Sequence, residues 1–205
     1  MSGLTIRIKE NQLQKIEKSL DGIKSPSAAV KTTINNTAKR AQKLLAEKAS
    51  KEYAGQVSKK GAILASSTIL KAAAGNLTAT IKFKSPIHDI KEFHVSSLQI
   101  SRTSYRKNGK RSVKTIKGNV LKGSPKPLKG AFVVQFKSGH VAVVTREPGT
   151  HMVKNPSKEK LKKLLSPSYK SMIGSDKVYG ATEKEIEEIM SNQVEQVISK
   201  ALGGT

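Results

Sequence analysis

The chain has 205 residues, 38 of them Lys or Arg against 15 Asp or Glu, a formal net charge of +23, with 4 Phe, 4 Tyr, no Trp and no Cys. Disulfides, thiolate metal sites and cysteine catalysis are thereby excluded, and the core must be aliphatic. A continuous apolar run of the kind a signal peptide needs is missing from the first residues, and nothing approaches the ~20 apolar residues of a membrane span. The expectation is a soluble protein made in the cytoplasm.

The charge is uneven. Residues 1–100 hold 17 basic and 7 acidic side chains, residues 101–172 hold 18 and 2, and residues 173–205 hold 3 and 6. So steep a positive field favours polyanions or an acidic protein surface as partner and is silent on fold.

In chain order, the alternation of Leu4, Ile6 and Ile8 predicts a short strand. Leu13, Ile16, Leu20 and Ile23 fall near helical spacing, with Gly22 at the stop. Over residues 27–52, Ala29, Val30, Ile34, Ala38, Ala41, Leu44, Leu45 and Ala49 form one stripe, and Lys31, Lys39, Lys43 and Lys51 lie off it. This predicts a long amphipathic helix, capped by Ser25 or Ser27 with Pro26 tolerated at its start. "AILASSTILKA" is ambiguous in period; "LTATIKF" alternates as a strand with Leu77, Ala79, Ile81 and Phe83 on one face.

"FHVSSLQISRTSY" and "RSVKTIKG" then flank Asn108-Gly109, the pair a two-residue hairpin turn prefers because both central positions want positive φ. The expectation is a basic β-hairpin arm over about 101–118, its tip crowded by Arg102, Arg106, Lys107, Lys110, Arg111, Lys114 and Lys117. "LKGAFVVQFKSGHVAVVTREPG" predicts a second hairpin, its scaffold Phe132, Val134, Val141 and Val143. Residues 146–172 are expected to be irregular, with one turn of helix in "SKEKLKKLL". A closing helix over about 181–202 carries Ile186, Ile189, Met190, Val194, Val197 and Ile198 as its stripe, and Thr182 and Glu185 stand at capping-box spacing. The fold class is α+β: a mostly antiparallel sheet of about five or six strands flanked by a long N-terminal and a C-terminal helix, in a single domain spanning 1–205.

Chemistry is hard to find. His88, His94, His140 and His151 include no pair at the i, i+4 spacing of a zinc-protease site, and they read as scattered strand and loop histidines. "GNVLKGSP" has the glycine spacing of a phosphate loop but lacks its Lys-Ser/Thr pair, and proline would spoil the helix start. Glu183, Glu185, Glu187 and Glu188 open a helix whose dipole favours them there. The serines sit in no nucleophile-elbow context. The sequence therefore gives no enzyme, no cofactor, no metal and no small-molecule substrate. For the basic arm, contact with DNA phosphates, docking on an acidic subunit and a solubilising loop all stay open.

The order of features carries more. "INNTAKRA" (Ile34 to Ala41) in the early helix, "KGAFVVQF" (Lys129 to Phe136) with "VTREPG" (Val144 to Gly149), "SPSYKSMIG" (Ser166 to Gly174) and the acidic closing helix together resemble the minor tail protein Z family of long-tailed phages and prophages, the tail completion proteins. The resemblance implies a non-enzymatic virion component, assembled in the bacterial host cytoplasm, that finishes the head-proximal end of the tail so that it joins the filled head. It also implies tail and connector proteins as partners, a homo-oligomeric ring with sixfold symmetry as the natural guess, and possible contact with phage DNA. Phe136 and Arg146, at the ends of the second hairpin, become oligomer or tail contacts on this reading, and the basic arm a contact with acidic subunits. The alternative is a DNA-binding architectural protein.

Overall fold

The structure, a computed structural model, describes residues 4–7, 18, 26–73, 75–84, 86–98 and 115–201. The stretch containing Leu13, Ile16 and Leu20, and the Asn108-Gly109 turn, lie outside the described residues. The chain forms two compact units interleaved in sequence: Met1–Ser50, Lys59–Ser85 and Tyr169–Thr205 make the first, Lys51–Ser58 and Pro86–Ser168 the second.

The first unit is built on one long helix. Helix α1 (Pro26–Glu52) opens with proline as its first helical residue, where the missing N–H has no intrahelical role. Of the predicted stripe, Val30, Ile34, Ala38, Ala41, Leu45 and Ala49 are buried and Ala29 and Leu44 half-buried; Ala46 is buried besides, and Lys39, Lys43 and Lys51 are exposed. Strand β1 (Leu4–Arg7), helix α2 (Lys60–Ala65), β2 (Ser67–Leu70) and β3 (Thr78–Phe83) follow, and the sheet runs β1-β3-β2, antiparallel throughout. The ambiguous "AILASSTIL" is thus a short helix handing over to a strand. In β3 the period of two is plain: Ala79, Ile81 and Phe83 are buried and the residues between them half-buried.

Polar side chains fasten α1 to its surroundings. Asn35 Nδ2 donates to the Ala72 carbonyl at 3.2 Å, and the Ala72 N–H donates back to Asn35 Oδ1 at 2.8 Å. Gln42 Nε2 donates to Ser67 Oγ at 2.7 Å, and the buried Thr37 hydroxyl reaches Met190 Sδ at 3.4 Å. The "INNT" motif is therefore joinery.

Helix α3 (Tyr169–Ile173) and a π-helical turn (Asp176–Gly180) lead into α4 (Ala181–Ala201). Thr182 is not the cap its spacing suggests. The helical run already begins at Asp176, so Thr182 is interior and buried, and its hydroxyl donates to the Val178 and Tyr179 carbonyls at 2.8 and 3.1 Å. On the same turn, partial burial pushes the Tyr179 hydroxyl above its ordinary value of 10.0, and the Glu183 carboxylate, its hydrogen bond, and Glu187 push further. The folded state then holds this proton more tightly than the unfolded chain, so stability falls as pH climbs from about 10 through the raised value. The absorbance titration at 295 nm of the wild type minus that of Tyr179→Phe should have its midpoint above 10; a midpoint at or below 10 would contradict this placement.

Apart from the last residues of α1, the described residues of the second unit form strands and turns. Its pairs are β4 (His88–Asp89) with β11 (Leu165–Ser166), a β5-β6-β7 sheet (His94–Val95, Lys117–Asn119, Lys126–Pro127), and a β10-β9-β8 sheet (Leu161–Lys163, Val141–Arg146, Phe132–Gln135). The α+β class and antiparallel pairing are as expected, with the strands divided among small sheets. Short strands separated by Gly and Pro turns cannot extend one ladder. The second hairpin forms with Val133 opposite Val143 and Val134 opposite Ala142, which sets Phe132 and Val134 on the other face from Val141 and Val143.

Its core differs in detail from the expectation: Val133, Ala142, Val143 and Val144 are buried, whereas Phe132, Val134 and Val141 are half-buried. Val133 and Val143 cluster with Ile90, Ile116 and Ala131. The expected turn of helix in "SKEKLKKLL" is instead strand β10, Leu161 pairing Arg146 and Lys163 pairing Val144. Local helix preference loses to the unsatisfied edge of β9, which offers a full ladder to any neighbouring segment.

Candidate docking surface

The β8–β9–β10 sheet carries both described single-residue contacts singled out from the sequence, one at each end. At the turn end, Phe136 is 40% exposed and stacks on His140, ring centroids 6.1 Å apart at 23°. The turn is closed by Phe136 N–H to the His140 carbonyl at 2.8 Å and Gly139 N–H to the Phe136 carbonyl at 2.9 Å, with Gly139 at φ +80.

This end is pinned by a carboxylate that the sequence reading passed over. Asp89 is buried; its Oδ1 lies 2.6 Å from Lys163 Nζ and its Oδ2 lies 3.2 Å from His140 Nε2. Asp89 also precedes a single 3-10 turn (Ile90–Glu92) and shares a capping box with Glu92, whose Oε1 accepts the Asp89 N–H at 3.2 Å and whose Oε2 lies 2.9 Å from His88 Nδ1. Lys91 Nζ donates to the Val141 carbonyl at 2.6 Å. One carboxylate thus holds β4, the β8–β9 turn and β10 together. Only a His and Lys far away in sequence reveal this, so spacing gives no signal. Asp89→Ala should cost about 2 kcal/mol, because Lys163 keeps partial access to water while the cap and two charged contacts are lost. Urea denaturation measures it; a loss below ~0.5 kcal/mol would show the contacts to be incidental.

At the opposite end, the Arg146 guanidinium carbon sits 5.5 Å above the Phe132 ring centre, a cation–π contact. Arg146 also borders a cavity of about 440 Å³ whose walls include Thr115, Leu128, Lys129, Phe132 and Thr145. The adjacent carboxylate, Glu147, faces Lys162 at 3.9 Å. Among the described residues no carboxylate is paired with Arg146 or Lys129.

Of the seven basic residues assigned to the arm, Arg102, Arg106, Lys107, Lys110, Arg111 and Lys114 lie outside the described residues. Lys117 is exposed and belongs to β6, where its N–H is bonded to Ser96 Oγ at 3.0 Å and its carbonyl accepts the Ser96 N–H at 2.8 Å. The phosphate-loop look-alike is a strand end and turn: Asn119 Nδ2 donates to the Leu121 and Gly123 carbonyls at 2.8 and 2.9 Å. Among the described residues no group of three or more His, Asp or Glu side chains is placed to hold a metal, and no helix is long and apolar enough to cross a membrane.

The sheet thus presents cations and aromatic rings around a hydrogen-bonded frame, an arrangement suited to holding another surface. No match was found among curated proteins or among solved structures. The family described as Prophage minor tail protein Z (GPZ), however, matches residues 5–203, from β1 to beyond α4, and the chain belongs to that family of phage tail proteins.

Proposed function

We propose that this protein completes the head-proximal end of the phage tail, so that the finished tail joins the filled head, and that it acts as a virion component without covalent chemistry. Family membership over nearly the whole chain is the observation that carries this reading. Copies close into a ring matching the tail tube, six being the number the tube's symmetry favours, and assemble in the host cytoplasm. The cations of the 101–118 section, with Arg146 and Phe136, meet acidic tail or connector subunits and lie near the DNA path. The steep positive field of residues 101–172 supports that role.

The test separates arm from scaffold. Removing residues 102–114 stops short of Ile116, which is buried, and of β6, so the fold should survive. Supplied to an induced prophage lacking its own copy, the shortened protein should give heads and tails that fail to join. Normal infectious yield from it would remove the arm from the account.

The net charge of +23 favours one second reading, an architectural DNA-binding protein. That reading requires tight duplex binding by the isolated monomer that collapses steeply with salt. Filter binding at two salt concentrations decides, and weak binding at physiological salt eliminates it.

A further inference from the structure

Between β9 and β10 the chain makes a hydrogen-bonded excursion, residues 147–160, from the same end of the sheet that carries Arg146 and the cavity. Its frame is dense. The Glu147 N–H donates to the Lys160 carbonyl at 3.0 Å, Met152 N–H to Lys158 at 2.9 Å, Asn155 N–H to Met152 at 3.1 Å and Lys158 N–H to Asn155 at 2.9 Å. The Thr150 hydroxyl donates to the Glu147 carbonyl at 2.6 Å and accepts the Lys160 N–H at 3.2 Å, and Ser157 Oγ donates to Asn155 Oδ1 at 2.6 Å. At the tip of this built finger stand Val153, 94% exposed, and Met152, 36% exposed. His151, Lys154, Lys158, Lys160 and Lys162 around them are all exposed.

The geometry points to a composite docking site for another protein of the tail, one whose surface offers an apolar pocket rimmed by Asp or Glu. Met152 and Val153 enter the pocket, and one carboxylate of the rim seats in the cavity against Arg146 and Lys129. This deepens the proposed function and rests on it.

Three observations select this occupant. The finger is held in shape before it binds, so little ordering cost falls on association, while its valine gains nothing from folding and about 25 cal/mol per Å² from being covered. The charges around the tip and the cavity are overwhelmingly positive: residues 115–168 carry 11 Lys and Arg against Glu147 and Glu159. A second copy presenting the same face is therefore repelled, and the complement is an acidic surface. Nucleic acid would satisfy the lysines but has nothing to offer a bare Val–Met tip, and no Phe, Tyr or Trp stands among residues 147–160 for a base to stack on. Arg146, planar and free of any described carboxylate, suits bidentate capture of one.

The experiment uses the full chain in an induced prophage lacking its own copy. A photo-crosslinking benzoyl-phenylalanine replaces Val153, and mass spectrometry locates the adduct. The expected adduct joins a different tail protein at a peptide containing Asp or Glu beside apolar residues, and Arg146→Glu in the same chain abolishes it. In parallel, V153D and R146E should each lower infectious yield about tenfold or more, as loss of a central contact does, with the melting temperature of the purified protein within about 4 °C of wild type, the small loss expected from the Arg146–Phe132 contact. An adduct to a second copy, to DNA or to lipid, or one indifferent to R146E, overturns the inference, and so does wild-type yield from both variants. If particles form normally without the gene, the proposed function itself has failed. If they need the wild-type gene yet accept both variants, only the docking site has.

Discussion

Gly55→Ala is expected to cost on the order of 4 kcal/mol, because strained backbone and backbone overlap add. Gly55 follows the end of α1 at φ +92, a conformation that side chains disfavour. A Cβ built there would stand 2.4 Å from Phe93 Cα and 2.5 Å from the Glu92 carbonyl oxygen. These are backbone atoms of the segment carrying the Asp89–Glu92 capping box, so no side chain can swing aside. The surrounding ladder is just as fixed. Ala54 N–H donates to the Val120 carbonyl at 2.8 Å, Lys122 N–H to Glu52 at 2.8 Å and Gln56 N–H to Glu92 at 3.2 Å, while the Ser58 hydroxyl closes the turn on the Tyr53 and Gly55 carbonyls at 2.9 Å each. Thermal melting should fall by roughly 10 °C. A fall of under about 2 °C would mean that the turn relaxes and the close approach is not required.

The second large effect lies in α1. Leu45 is fully buried and ranks among the largest such side chains of the chain, and Leu45→Ala should cost about 3 kcal/mol through lost transfer energy and the void left behind. The matched control is its neighbour. Leu44 is half-buried, and Leu44→Ala should cost less than half as much. Denaturant midpoints for the pair measure both. Equal losses would mean that the helix does not present the face assigned to it. The buried stripe is mostly alanine, so the one large residue in its C-terminal half carries a disproportionate share of the packing there.

What was legible in the sequence follows from what each signal depends on. The α1 stripe, the alternation of β3 and the two apolar runs of the second hairpin are short-range periodicities, and local geometry suffices to set them. "SKEKLKKLL" misleads because its strand state exists only through the pairing of Leu161 and Lys163 with β9, which no local pattern encodes. Thr182 misleads because the helix begins one π-turn earlier, and its hydroxyl bonds backwards. The Asp89 knot was invisible because Asp89, His140 and Lys163 meet only in three dimensions. The 147–160 excursion gives only an irregular pattern in the sequence, since hydrogen bonds from turn residues leave no period.

The motifs that identify the family prove to be packing and turn residues. Asn35 clasps Ala72, Ala131 and Val133 enter the core, Gly149 takes φ +75 in a turn, and Tyr169, Met172 and Ile173 are buried. They specify a scaffold, which explains how a chain without catalytic signature still declares its kin. On the proposed reading, function is carried by what the scaffold displays, positive charge with a bare apolar tip.

Electron microscopy of particles from an induced prophage lacking this gene tests the central claim most directly. The account expects DNA-filled heads and full-length tails lying separate, with joining restored when the wild-type protein is supplied. Joined, infectious particles in normal number without the gene would contradict it.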